Sequence, residues 1–212
     1  MIKYRRIISL GGLYVIIKLP LFNHFANIRI QPKLIIKLFL TLIIIVTYTF
    51  VSGLSVDYKK LLSEAGLSET SLAQIKIFSQ ISIFFSRVFS VLFTFLIILV
   101  ISRIMRSDAN TKSIFSATLS YILFTNAISL IILTIQISAG LSLIDYSITS
   151  LNIFAKGNRI LGTFDLQFFV QAYILTVMLI GTSKLSIRAS TIWGIIYLIL
   201  ILTFSLISIS IQ

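Results

Sequence analysis

Apolar residues in this chain come in long runs, and the polar residues gather in the gaps between them. Five runs stand out, over residues 38–56, 83–102, 114–136, 166–183 and 190–210. A ~30 Å hydrocarbon layer takes about 20 residues at ~1.5 Å of helical rise each, so each run is read as a spanning helix. The last two form a hairpin: FDLQFFVQAYILTVMLIG, the connector TSKLSIRAS, then TIWGIIYLILILTFSLISISIQ. So short a connector makes the two helices antiparallel neighbours. The second run extends back towards Glu69, which predicts a helix longer than the bilayer is thick, with its first part projecting from, or lying along, the outer face.

Residues 1–37 form a basic segment ahead of the bundle at 38–212. The start, MIKYRR followed by IISLGGLYVII, imitates a signal peptide, but the apolar run is interrupted at Gly11 and Gly12 and closed by Lys18 and Pro20, with no small-residue cleavage site after it. Between Leu21 and Gln31 the pattern becomes helical and two-sided. Leu21, Phe22, Phe25 and Ile28 share one face; Asn23, His24, Asn27 and Gln31 share the other. This predicts an N-terminal amphipathic helix in the headgroup layer, with His24 solvated on its polar face. Asp57 to Lys76 is the most polar stretch: a short helix over 59–65 is closed by Gly66, and Ser68 can cap the helix that follows.

Composition agrees with a lipid solvent. The chain has 212 residues, 58% of them hydrophobic and 11% charged, and a mean hydropathy of +1.06. A soluble domain is about half apolar and about a quarter charged. The net charge of +12 would suggest nucleic acid in a soluble protein. Here the cations anchor loops against anionic headgroups, so the lipid bilayer is the expected partner and nucleic acid is not. Seven cations precede the first run, three lie in the Arg103–Lys112 connector and two in the last one, against one acid, Asp108. The other side carries six cations and five acids. The bias puts the N-terminus in the cytoplasm and, after five crossings, the C-terminus outside. The chain contains no cysteine and a single histidine, so thiolate and histidine-cluster metal sites are absent and no cofactor is expected.

Few polar residues fall inside the runs, and these are the candidates for function. Arg87 precedes VFSVLFTFLIILVIS; it reads either as a charge on a substrate path or, by preference, as a side chain snorkelling to the interface. Asn126, Gln136 and Gln171 are amides in apolar surroundings, suited to bonding between helices and, as a sharper reading, to holding a solute. Asp165 suits a helix cap. Ser82, Ser86 and Ser90 form a small-residue stripe that permits close helix approach. All six acids sit in connectors or at helix ends, and no H-E-x-x-H, G-x-S-x-G or phosphate-loop pattern occurs. No catalytic residue is assigned, and a non-enzymatic protein is expected.

The feature order resembles the Yip1 domain family of five-span membrane proteins. LPLFNHFANIRIQPKLIIKLFLTLIII is similar to that family's cytoplasmic segment and first span, TKSIFSATLSYILFTNAISLI to its third span, and FDLQFFVQAYILTVMLIGTSKLSIRAS to its closing hairpin. The resemblance implies a five-helix fold with a cytoplasmic N-terminus. It does not extend to Rab binding, since the longer acidic N-terminal region of eukaryotic members is missing. Bacterial members look like small accessory proteins of the cell membrane, some associated with ABC transporter subunits and tolerance to peptide toxins (bacteriocin immunity). The resulting expectation is an all-α integral membrane accessory protein with a membrane-protein partner or a second copy of itself. The alternative is a small-molecule transporter or the substrate-capture subunit of an importer, with Arg87, Asn126, Gln136 and Gln171 near the solute.

Overall fold

A computed structural model of the chain describes residues 7–10, 13–16, 19–54, 72–141 and 147–211, with side chains from 19 to 210. The expectations for Lys59 to Ala65, Gly66, Ser68 and Asp145 lie outside the described residues. Two strands, β1 (Ile7–Leu10) and β2 (Leu13–Ile16), pair antiparallel, with Ile7 opposite Ile16.

The rest is a helical bundle. A short helix, α1 (Phe22–Ile30), leads into α2 (Leu34–Leu54), α3 (Leu72–Ile104) and α4 (Thr111–Ser138). A turn of 3-10 helix at Leu151–Phe154 and one α-helical turn, α5 (Arg159–Gly162), precede the closing hairpin of α6 (Leu166–Gly181) and α7 (Ile187–Ile211). Among the described residues, α2, α3, α4 and α7 are long and apolar enough to cross a membrane. At 16 residues, α6 is shorter, about 24 Å from end to end. The 33 residues of α3 reach about 50 Å, as expected of a helix that outruns the bilayer.

Two helices form the interior. The first half of α4 is wrapped by α1, α2, α3 and α6, with Ile114, Ala117 and Leu119 at most 1% exposed. The second half of α6 is buried almost continuously from Ile174 to Ser183, apart from a half-buried Thr176. The outer faces are the reverse. Phe78, Phe89 and Phe204 are each about 70% exposed, in company with many Ile and Leu. Faces that apolar belong against lipid, and the architecture is that of an integral membrane protein.

The α1 helix forms where the alternation predicts, but its apolar face meets protein. Phe25 is 0% exposed and Ile28 3%. Gly181 makes this possible: a Cβ there would lie 2.8 Å from that of Phe25. The Thr182 hydroxyl donates to the Phe25 carbonyl at 3.0 Å, and Arg29 donates to the Thr182 carbonyl at 2.9 Å. Ser113 donates to the Arg29 carbonyl, and Arg29 forms a 2.6 Å ion pair with Asp108. One short helix thereby ties together the α3–α4 connector, the start of α4 and the α6–α7 connector. The Ser82–Ser86–Ser90 stripe departs from expectation. All three serines are exposed on the outer face of α3, beside Phe85, Phe89 and Phe93, and bring no helix of the bundle close.

Candidate functional site

The polar residues of the spans are not scattered. A cavity of about 130 Å³ opens among α3, α4, α6 and α7, and nearly every side chain lining it is polar. Helix α3 contributes Arg87, Ser90 and Thr94; α4 contributes Tyr121, Thr125, Asn126 and Ser129; Gln171 comes from α6 and Tyr197 from α7. Their depths follow from helix register. Tyr121, Gln171 and Tyr197 each lie ten residues from the end of their helix nearest α1, about 15 Å along the axis and so near mid-membrane. Asn126 and Arg87 lie further along, about 22 and 25 Å from that end. The cavity therefore runs from mid-bundle towards the end opposite α1.

Arg87 is the charge of this cavity. It is half-buried, donates to Asn126 Oδ1 at 2.6 Å and lies 4.0 Å above the Tyr48 ring of α2. An amide oxygen and a ring face both attract a guanidinium, yet neither carries a charge to cancel its own. No carboxylate pairs with Arg87 among the described residues. Deeper in, Tyr121 donates to Tyr197 at 3.1 Å, and Tyr197 donates to Gln171 Oε1 at 2.8 Å. That chain orders three helices.

The remaining candidates lie elsewhere. Asp165 caps α6, accepting from the Gln167 backbone N–H at 2.8 Å, and its other oxygen accepts from Ser147. Gln136 is buried at the end of α4, where its side-chain oxygen accepts from the Ile148 N–H. A second polar chain joins this region to the cavity: Ser129 donates to Gln167 Oε1 at 2.7 Å, and Gln167 donates to Thr149 at 3.1 Å. So Arg87, Asn126 and Gln171 come together, while Gln136 and Asp165 shape the loop beyond α4.

At the other end of the bundle, His24 is exposed but sets its ring edge-on to Phe25 and Phe124, with centroids 5.4 and 5.2 Å away. Partial burial, helped by the Lys37 charge, lowers its pKa from 6.5. The hydrogen bond from Arg29 lowers that of Asp108.

Sequence reasoning missed Tyr121, Tyr197, Ser129 and Gln167. A usable signal existed for the tyrosines, since each stands ten residues into its helix, too deep for an interfacial anchor. The arrangement can bind and orient. It presents one cation, amides and hydroxyls, with no nucleophile held against a base. Among the described residues no cluster of three His, Cys, Asp or Glu offers a metal site. Compared with known protein families, curated proteins and solved structures, the chain matches none.

Proposed function

We propose that this chain is a non-enzymatic membrane protein that captures a small molecule within the bilayer, as a transporter or the substrate-binding subunit of one. One observation carries the proposal: Arg87, Asn126 and Gln171, from three helices, face one polar cavity at membrane depth. Ionisable groups at that depth are costly and are kept where they bind something. Five crossings are proposed, α6 making the fourth, with the N-terminus in the cytoplasm of a bacterial cell and the C-terminus outside. The charge bias supports this orientation, and so does the gathering of α1, Arg103, Lys112 and Lys184 at one end of the bundle.

Native mass spectrometry of the detergent-extracted protein tests the proposal. A small molecule is expected on the wild-type chain and absent from Arg87→Ala and Asn126→Ala. A ligand-free wild type, or a ligand retained by both variants, would sink it. Reporter fusions test the orientation, which predicts the two termini in different compartments.

A second reading keeps the Yip1-like accessory role beside an ABC exporter, in tolerance to peptide toxins. The outward-facing serine stripe favours it, since small residues at the lipid face suit a partner helix or a second copy. Gentle extraction that recovers a transporter subunit, and toxin sensitivity on deletion, are its expected results.

A further inference from the structure

Resting on the capture reading, we infer that the cavity takes the carboxylate of a single-chain amphiphile whose tail lies along the outer face of α3. The first ground is charge. Arg87 brings one positive charge to a polar cavity, and among the described residues its partners, Asn126 and the Tyr48 ring, are neutral. Around it stand groups able to donate to an anion, among them the Asn126 and Gln171 amides. One fixed cation matches one negative charge. A phosphate monoester carries nearly two at neutral pH and would leave one uncompensated.

The second ground is size. A volume of about 130 Å³ has room for a carboxylate together with some hydration.

The third ground is the wall. Ser90 lines the polar cavity and is itself exposed on the outside of the bundle. It also lines a separate, open groove of about 550 Å³, formed on α3 by Ser82, Ser86 and Ser90 with Phe85, Phe89 and Phe93. The two spaces meet at this one small side chain. Rows of Ser and Phe at four-residue spacing leave a channel between large side chains, shaped for an extended acyl chain and open to lipid. A ligand arriving from the bilayer places its head past Ser90 against Arg87 and leaves its tail in the groove. No aqueous route is needed.

The experiment measures binding of tritiated palmitate to the purified full chain in maltoside micelles at pH 8. Hexadecanol, butyrate and inorganic phosphate serve as competitors. Saturable palmitate binding is expected, with hexadecanol at least about tenfold weaker for lack of charge. Butyrate and phosphate are expected not to compete. Arg87→Gln should weaken palmitate by about ten- to a hundredfold, while Arg87→Lys restores most of it. Ser90→Trp changes an exposed position and should abolish palmitate binding without lowering the melting temperature. That variant separates a blocked entrance from a misfolded bundle. No saturable palmitate binding, equal binding of hexadecanol, or full binding by Ser90→Trp would each overturn the inference. If butyrate or phosphate binds as tightly as palmitate and depends on Arg87, the cavity takes a free anion; the amphiphile then falls and the capture reading stands.

Discussion

One added methyl group, Gly181→Ala, measures how firmly α1 belongs to the bundle. The new Cβ would lie 2.8 Å from Phe25 Cβ, 3.1 Å from the Ala26 nitrogen and 3.2 Å from the Phe25 carbonyl carbon. Carbon atoms rest at ~3.5–4.0 Å, so α1 has to withdraw by about 1 Å. Two of the three crowded atoms are backbone, so a change of rotamer brings no relief. Overpacking of this kind costs about 1–3 kcal/mol. Better helix propensity returns at most about 1 kcal/mol, and less here because Gly181 is the last residue of α6. The net loss is about 1–2 kcal/mol, or roughly five- to thirtyfold in the docking equilibrium of α1. The chain has no cysteine, so Ile28→Cys supplies a lone thiol at a position only 3% exposed. Maleimide should label that thiol slowly in the parent and roughly five- to thirtyfold faster once Gly181→Ala is added, with a lower melting temperature. Equal labelling rates and equal melting would refute the close approach of α1 to α6.

Three further outcomes can be checked on the same preparation. Asp165→Ala removes the oxygen that caps α6 and should cost about 1 kcal/mol in thermal unfolding, whereas Asp165→Asn keeps an acceptor and should cost much less. Asn126→Ala deprives the Arg87 guanidinium of the hydrogen-bond acceptor it has among the described residues and should destabilise the bundle by about 1.5–3 kcal/mol in denaturant melts. Because the folded pKa of His24 lies below 6.5, the fold favours the neutral ring. Its contribution is fully present above pH 6.5 and is lost as pH falls through the lowered folded value, so α1 should loosen on mild acidification and His24→Gln should flatten that dependence.

The helices were legible because lipid imposes a length and an apolar composition, and both are written locally. The runs beginning at residues 38, 114 and 190 mark α2, α4 and α7, each of which starts three or four residues earlier in the structure. The α6 cap at Asp165 was local too. The cavity was not, because it depends on the relative registers of four helices. Tyr121 and Tyr197 are 76 residues apart, and nothing near either one announces the other. Arg87 illustrates the same difficulty. A lone arginine in an apolar helix reads as a surface anchor, and what turns it inward is Asn126 on α4 and Tyr48 on α2. The serine stripe had the right spacing for close helix contact, but spacing alone cannot tell an inner face from an outer one.

The grip of Arg29 has a mechanical consequence. Its guanidinium holds the carbonyl of Thr182, while its own carbonyl is held by Ser113. A tug on the chain ahead of Leu19 is therefore delivered at once to the roots of α4 and α6. These are two of the helices whose far halves enclose Arg87, Asn126 and Gln171. The cavity lies about 15 Å from that anchor along α6 and about 22 Å along α4.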